Sequence, residues 1–268
     1  MIGPIRSMTD HSWPHGVTRV WRVVGSETVW VKQHTEGRKF RQESRAYGAV
    51  VPALGAAGFR VATRIADWPS LRTLALTDVR GDRAPDGDPA VHRQAGAASA
   101  VLHALPLDDT DPVPIADALR ARLTRWVSEA SGAVDPAWIE RIRAEIGDGT
   151  AFDGCDRRWC HRDWSPRNWL IDEEGRLGLL DFEHCGPDLW LFDLVKLADD
   201  AWRRFPDTRA AYFDGYGRPL DAVDQDRLRR LMWLHALGTT AWAATHGDPA
   251  YEAHGRALLA ALHAGWAP

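Results

Sequence analysis

The segment 161–183 most narrowly constrains the fold, because its polar residues surround a predicted β-hairpin. Two short apolar runs flank a polar turn at 172–176, a pattern typical of paired antiparallel strands. Asn168 precedes the first strand, Asp181 follows the second, and Asp163 lies on the loop that leads in. Since a hairpin returns the chain to its starting point, we expect these three side chains to face one cavity.

Such a cluster suits phosphoryl transfer from a magnesium nucleotide, in which one carboxylate orients the attacking hydroxyl. Mg2+ prefers few carboxylates together with phosphate oxygens and water, which fits one Asp and one Asn. An alternative is that Asp163 and Asn168 are turn-formers, which Ser165-Pro166 between them also favours. The residue types alone leave both interpretations open.

The overall composition is that of an ordinary soluble globular protein. The 268 residues are 45% hydrophobic and 26% charged, and their net charge of -4 argues against nucleic acid or a membrane as partner. Three cysteines without a CxxC pair favour a reducing cytoplasm and apolar packing of the thiols. The sequence has no apolar run near the roughly 20 residues of a membrane span. We therefore expect a cytoplasmic protein, either a monomer or a homodimer.

The chain divides into a β-rich front part, residues 1–80, and a mainly helical remainder, residues 81–268, which predicts an α+β fold. A polar loop at 81–89 marks the boundary. β-branched and aromatic residues predict strands at 20–24, 28–32, 61–65 and 71–76, besides the hairpin strands 169–171 and 177–180. Apolar spacing predicts helices at 38–54, 93–105, 114–130, 135–146, 193–205, 221–245 and 249–264.

The motif His161-Arg162-Asp163, continued by Asn168 and by Asp181-Phe182-Glu183, resembles that of the aminoglycoside phosphotransferase family, which includes choline-kinase-like enzymes. It is similar, more distantly, to the eukaryotic protein kinases. The resemblance implies a two-lobed protein-kinase-like fold. A small β-rich N-lobe would bind the nucleotide, and a larger, mainly helical C-lobe would carry the catalytic residues and the acceptor site.

The resemblance also assigns roles within the motif. Asp163 would be the catalytic residue that accepts or orients the proton of the substrate hydroxyl, while Asn168 and Asp181 would bind Mg2+. His161 would support the catalytic loop. Asp193 matches an aspartate that braces this loop in the family, and its alternative role is that of a helix N-cap.

In the front lobe, Lys32 ends an apolar strand and would contact the α- and β-phosphates of ATP or GTP. Glu43, on the next helix, would hold Lys32 by an ion pair. The alternatives are an exposed charge at the strand end for Lys32 and a solvated helix face for Glu43.

The other nucleotide contacts are assigned to a loop and a hinge. The chain has no GxGxxG motif, so the phosphate-covering loop is placed at 9–18, with Ser12 and Gly16 as its contacts. The adenine-facing hinge is placed at Thr77, Asp78 and Val79, which would bind through their backbone groups. Such a hinge leaves the choice between ATP and GTP open.

Only 11 residues separate Asp181 from Asp193, too few for the activation segment of a protein kinase, so a small-molecule acceptor is favoured. Aromatic faces suit a sugar or nucleoside, and carboxylates suit an amine. The candidate acceptor residues, each of which could instead be core or solvated surface, are Trp164, Glu183, Asp188, Trp190 and Asp199, followed by Asp200, Trp233, His235 and Trp242.

The sequence therefore predicts a kinase that phosphorylates a hydroxyl of a small molecule. The family resemblance favours an antibiotic as acceptor, either an aminoglycoside or a compound that contains a nucleoside or sugar, with resistance as the outcome. The alternatives are a kinase for a small metabolite of the choline or homoserine type, and a pseudokinase that binds nucleotide without turnover.

Overall fold

The computed structural model describes residues 4–14, 16–107, 113–130, 132–147 and 149–268. Its front is an antiparallel sheet of five strands in the order β1-β2-β3-β6-β5. In chain order the strands are β1 (Ser7–Asp10), β2 (Thr18–Val24), β3 (Thr28–His34), β4 (Arg60–Val61), β5 (Arg64–Trp68), β6 (Thr73–Thr77), β7 (Asp82–Arg83), β8 (Arg158–Cys160), β9 (Trp169–Ile171), β10 (Leu177–Leu179) and β11 (Gly186–Asp188).

Both predicted hairpins are confirmed. In the front sheet β2 pairs with β3, and Val24 lies opposite Thr28 across the turn. In the motif segment β9 pairs with β10, with Leu177 opposite Ile171. Strand β1 was missed because all four of its residues are exposed, so it lacks the alternation that marks a half-buried strand.

In chain order the helices are α1 (Gly37–Ala49), α2 (Val51–Ala56), α3 (Pro89–Ala104), α4 (Ile115–Glu129), α5 (Pro136–Ile146), α6 (Trp202–Arg204), α7 (Asp207–Tyr216), α8 (Ala222–His246) and α9 (Pro249–His263). The single helix predicted at 38–54 is wrong in one respect, since it is broken at Val50. Pro52 has no N–H to donate to the carbonyl four residues earlier, and it stands instead in the first turn of α2.

The helix predicted at 193–205 forms over residues 195–204, but it begins later than predicted and is irregular. A short 3-10 turn, Trp190–Asp193, precedes it, and a π-helical segment, Leu197–Ala201, leads into the single turn of α6. π-Helical segments are rare and often occur at functional sites. Apolar spacing could not reveal this one, because the apolar residues continue through it.

A second sheet joins the front part of the chain to the back, in the order β4-β10-β9-β7. Strand β4 pairs with β10 in parallel, with Val61 opposite Leu179, and β7 pairs with β9. Gly81 lies just before β7 with φ of +137°, and a Cβ there would lie 2.7 Å from the carbonyl oxygen of Ile171, so only glycine fits. This sheet spans the boundary predicted at residues 80 and 81, and that boundary stays a prediction.

Most tryptophans fill the core. Trp164, Trp169 and Trp233 are among the largest fully buried side chains, whereas Trp13 and Trp68 are about half exposed. None of the described helices combines the length and the apolar character that a membrane span requires.

Candidate active site

Asp193 fixes the backbone of the loop that carries Asp163. Its buried carboxylate accepts hydrogen bonds from the backbone N–H groups of His161, at 2.9 Å, and Arg162, at 2.5 Å. The ring of His103 lies 3.0 Å from the same carboxylate. Arg162 has a left-handed backbone with φ of 61°, uncommon for a residue other than glycine, and the two bonds fix this turn. Asp193 stands at the end of a 3-10 turn, so the geometry favours the predicted brace over the alternative helix N-cap.

His161 connects the loop to the end of the hairpin. Its Nε2 lies 2.9 Å from the carbonyl oxygen of Leu180, the residue before Asp181. The imidazole packs between Trp164 and Phe182, with ring centroids 5.3 and 5.0 Å away. These contacts agree with a supporting role for His161.

The carboxylate of Asp163 lies between two cations. Arg167 Nη2 is 2.8 and 2.6 Å from its two oxygens, and Lys196 Nζ pairs with Oδ1. Burial alone would raise the pKa of Asp163, but Lys196 and Arg167 outweigh it and hold the pKa well below its usual range. Asp163 is therefore ionised near neutral pH and can accept a hydrogen bond from a hydroxyl. Neither cation was predicted from the sequence.

Asn168 is positioned by Asp163 and by the hairpin. Its amide nitrogen donates to the backbone oxygen of Asp163, at 2.8 Å, and to the Asp163 carboxylate, at 3.1 Å. Its own backbone oxygen accepts a bond from the N–H of Leu180 at 3.0 Å. Because the amide nitrogen faces Asp163, the amide oxygen is the atom left to coordinate a metal.

Asp181 follows directly and has a left-handed backbone, with φ of 62°. The backbone bond from Leu180 to Asn168 thus brings Asp181 next to Asn168, as the hairpin predicts. One carboxylate and one amide oxygen fit Mg2+, which keeps water and phosphate oxygens in its remaining positions. The two residues that could hold the metal are therefore neighbours.

Lys32 joins the front sheet to this pair of residues. Its Nζ lies 2.8 Å from Glu43 Oε1 and 2.7 Å from Asp181 Oδ1. Burial alone would lower the pKa of Lys32, but Asp181 and Glu43 raise it well above its usual value, so the ammonium stays charged. The structure thus contains the expected ion pair, and the contact of Lys32 with nucleotide phosphates stays a prediction.

The loop between β1 and β2 is held by its own bonds. Ser12 Oγ accepts from the N–H of Val20 at 3.0 Å, and the N–H of Gly16 donates to the carbonyl of Trp13 at 2.9 Å. His15, within the predicted loop, lies outside the described residues. The assignment of Ser12 and Gly16 to the phosphates stays a prediction.

The hinge has one feature that the sequence did not reveal. The N–H of Thr77 donates to the carbonyl of Thr63 at 2.9 Å, and Thr77 Oγ1 accepts from the N–H of Thr63 at 2.8 Å. The backbone N–H of Thr77 is thereby used within the sheet. Asp78 accepts a bond from the indole of Trp30 at 2.6 Å. A hydrogen bond from the N–H of Thr77 to adenine is therefore disfavoured. The backbone contact of Val79 with adenine stays a prediction.

The prediction that Trp164 faces the acceptor is wrong. Its side chain is 1% exposed and packs edge-on against His161 and Trp169, inside the core. Glu183 is also engaged elsewhere. It accepts from Thr18 Oγ1 at 2.9 Å and pairs with Lys39 at 3.0 Å, so it ties the motif to the front lobe.

Asp188 and Trp190 are engaged by other side chains. Asp188 is bound by Arg122 at 2.8 Å, and it also pairs with Arg162. Trp190 stacks on Tyr216, with ring centroids 5.3 Å apart, and lines a separate cavity of about 500 Å³. These contacts give both residues structural roles in place of the predicted contact with the acceptor.

Asp199 lies in the π-helical segment, three residues after Lys196. Its Oδ2 is 3.1 Å from His235 Nε2 and 2.8 Å from His254 Nε2. Burial alone would raise the pKa of Asp199, but these two histidines outweigh it and lower the pKa. Among the described residues, its buried Oδ1 has no hydrogen-bond partner. The contact of Asp199 with the acceptor stays a prediction.

The β-rich front, the helical back and the hairpin between them define a protein-kinase-like phosphotransferase. The model of the phosphotransferase enzyme family matches residues 14–234, and the chain belongs to this family. It is therefore a small-molecule kinase by class. The comparison with curated proteins gives no match.

Solved structures share the fold at low sequence identity. The aminoglycoside phosphotransferase APH(4)-Ia, in a ternary complex with ADP and hygromycin B, aligns with a TM-score of 0.76 at 15% identity, over 98% of this chain and 96% of that one. The GDP and kanamycin complex of APH(2")-IIia gives 0.74 at 14%, over 97% and 94%. The macrolide 2'-phosphotransferase MphH from Brachybacterium faecium gives 0.65 at 18%, over 94% and 91%.

Proposed function

We propose that this chain transfers the terminal phosphoryl group of ATP or GTP to a hydroxyl of a small-molecule antibiotic. The observation that carries the proposal is the position of Lys32, whose Nζ contacts both Glu43, at 2.8 Å, and Asp181, at 2.7 Å. This contact joins a phosphate-binding cation of the front sheet to the carboxylate expected to hold the metal. A pseudokinase would have no need to keep this arrangement together with the Asp163 cluster.

Asp163 orients the acceptor hydroxyl in this proposal. Because its pKa is held low, Asp163 aligns the hydroxyl by accepting a hydrogen bond, and the proton leaves late. Such a role suits a loose transition state, in which positioning and charge neutralisation supply most of the rate. Arg167 and Lys196 hold the carboxylate in place and provide positive charge beside the transferring group.

Asn168 and Asp181 would hold Mg2+, which would neutralise charge on the phosphates when bound. Lys32 would bind the phosphates from the other side, and Glu43 keeps Lys32 directed into the cleft. The assignment of the metal rests on the chemistry of these two side chains and on their adjacency.

An antibiotic as acceptor is supported by the related structures. Those relatives are named for complexes with kanamycin, gentamicin and hygromycin B or for macrolide phosphorylation. The catalytic cluster described above could equally phosphorylate a small metabolite, so the acceptor itself must be tested.

The test is a nucleotide-consumption screen with ATP and with GTP across aminoglycosides, macrolides, nucleoside and peptide antibiotics, and choline-like metabolites. We expect acceptor-stimulated turnover with at least one antibiotic, and none in the Asp163→Asn variant. Turnover with metabolites alone would show that the acceptor is a metabolite and not an antibiotic. Nucleotide binding without turnover for any acceptor would contradict the proposal.

A further inference from the structure

Three stacked rings join the β1–β2 loop to α8. Trp13 of the loop stacks on Trp242 of α8, with ring centroids 5.2 Å apart and planes 9° apart. Trp242 also stacks on His246, at 4.2 Å and 13°. Tyr251 of α9 meets Trp242 edge-on at 6.1 Å. The stack thus connects the loop of the front lobe to the last two helices.

This stack lies beside the catalytic loop. Tyr251 stacks on His254, with ring centroids 6.0 Å apart, and His254 Nε2 lies 2.8 Å from Asp199 in the π-helical segment. Lys196, which directly precedes this segment, pairs with Asp163. These contacts form a continuous path from Asp163 to the ring of Trp242. The ring of Trp242 thus belongs to the helices that pack against the surroundings of Asp163.

Most carboxylates along this path are paired with a cation, whereas Asp248, at the N-cap of α9, accepts the N–H of Tyr251. Three carboxylates of the region each hold a basic partner: Asp199 with His235 and His254, Asp200 with Arg204, and Glu252 with Arg256. Lys196 and Arg167 add positive charge directly at Asp163. An acceptor with several ammonium groups would meet carboxylates that are already paired and two cations beside its reacting hydroxyl. The region therefore favours an acceptor of low positive charge.

One partner of Trp242 can be exchanged for a ligand. Trp13 lies on a loop and is 48% exposed, so its removal from Trp242 uncovers little core surface. His246 belongs to the same helix as Trp242, and its Nδ1 lies 2.8 Å from the Trp242 carbonyl, which fixes it in place. An incoming ring would thus replace Trp13 rather than His246.

We propose that Trp242 is the stacking platform of the acceptor site, and that its ligand carries a planar heteroaromatic ring and at most one positive charge, as a nucleoside does. The ring takes the place of Trp13 while a hydroxyl of the same molecule reaches Asp163. The second half of this inference rests on the proposed function. The stacking itself is a binding event that is measurable without phosphoryl transfer.

The test measures binding by calorimetry to protein saturated with AMP-PNP and Mg2+, which keeps the probes out of the nucleotide site. The probes are puromycin, a nucleoside with one amine, uridine, which is uncharged, and kanamycin, which is polycationic. We expect puromycin and uridine to bind at least about tenfold more tightly than kanamycin. Trp242→Ala should weaken puromycin binding by about tenfold, the scale of a base–aromatic stack, and Trp242→Phe should weaken it less.

Two further variants separate stacking from general effects. Trp13→Ala should bind puromycin more tightly, because the competing ring is gone. Trp68→Ala, which removes a tryptophan of similar exposure at 45%, should leave binding unchanged. Circular dichroism of each variant checks that the fold is intact.

Tighter binding of kanamycin than of either nucleoside would overturn the inference, as would unchanged puromycin affinity in a folded Trp242→Ala variant. Weaker puromycin binding in Trp13→Ala would overturn the inference that the ligand ring takes the place of Trp13. Trp242-dependent binding without turnover of any acceptor would support the platform and contradict the proposed function. Turnover of kanamycin, together with puromycin binding that does not depend on Trp242, would support the proposed function and contradict the stacking platform.

Discussion

The ammonium of Lys32 lies 2.7 Å from the carboxylate of Asp181, although 149 positions separate the two residues in the chain. Nucleotide phosphates and a metal would stand between these two charges in a loaded site. Binding therefore exchanges one direct ion pair for a contact of each side chain with the ligand. Glu43 keeps its contact with Lys32 during this exchange, which holds the ammonium in the cleft.

Asp163→Asn should reduce kcat by at least about 10²-fold, because the neutral amide loses the oriented acceptor of the hydroxyl proton. Nucleotide affinity should change much less than kcat, because Asn168 keeps its 2.8 Å hydrogen bond to the backbone oxygen of Asp163. Steady-state kinetics and nucleotide titration measure the two quantities. Asp156→Asn, at an exposed aspartate, is the matched control. Turnover close to that of the wild type would remove Asp163 from the catalytic role.

Asp181→Ala should abolish the part of nucleotide affinity that depends on Mg2+, because Asn168 alone is a weak ligand for a hard cation. The measurement is the nucleotide Kd with and without Mg2+ in both proteins. If the variant keeps the full Mg2+ dependence of the wild type, another residue binds the metal.

Lys196→Met should destabilise the fold, because the buried carboxylate of Asp163 then keeps only Arg167 as a cationic partner. Removal of one partner from a fully buried ion pair costs about 3–5 kcal/mol, and partial exposure of Lys196 reduces this to about 1–3 kcal/mol. Urea unfolding measures the change. In the Asp163→Asn background the same substitution should cost much less, and equal costs in both backgrounds would show that the pair is not coupled.

Gly96→Ala should destabilise the fold by about 3 kcal/mol, because α3 and α7 pack backbone to backbone at this point. A Cβ on Gly96 would lie 1.9 Å from the carbonyl oxygen of Tyr212. Gly48→Ala is the matched control, since nothing lies within 4 Å of a Cβ there. This second change should stabilise α1 by about 0.5–1 kcal/mol through helix propensity. Thermal unfolding of both variants compares them.

The contact of His254 with Asp199 predicts a pH dependence of stability. The hydrogen bond to Asp199 raises the pKa of His254 above its unfolded value of about 6.5. The raised pKa of His254 stabilises the folded state fully below about pH 6.5. This stabilisation is lost as the pH rises through the pKa that His254 has in the folded protein. The difference in unfolding free energy between the wild type and His254→Gln should therefore shrink as the pH rises above about 6.5. A difference that grows with pH would contradict the assigned contact.

The local sequence pattern was sufficient to predict the hairpin and the cluster of Asp163, Asn168 and Asp181 around it. Two short apolar runs and the polar turn between them define β9 and β10, and once these strands pair, Asn168 and Asp181 are brought together. The Lys32–Glu43 contact was expected from the family resemblance, since the residue types alone left both side chains as possible surface charges. The hairpin cluster needed no packing of distant elements.

The remaining features depend on packing that no local pattern encodes. Arg167 is visible inside the motif, but only the 3-10 turn Pro166–Asn168 directs it back to Asp163. Lys196 reaches Asp163 because the chain leaves Asp193 through irregular helical turns. Trp164 was misplaced because adjacency to Asp163 in sequence does not set its direction. The turn at Arg162 sends Asp163 to the cleft and Trp164 into the core.

The sheet shared by β4 and β10 also determines where the front lobe can pivot. Strand β4, Arg60–Val61, is bonded to the back of the molecule, whereas β5, which begins at Arg64, belongs to the front sheet. On the other crossing, β6 ends at Thr77 and β7 begins at Asp82. The chain also passes from β3 to β4 through residues 35–59, which contain α1 and α2. A rotation of the front sheet that keeps both sheets intact must therefore be absorbed by the backbone of residues 35–59, 62–63 and 78–81, and the last two connections are the short ones that limit it.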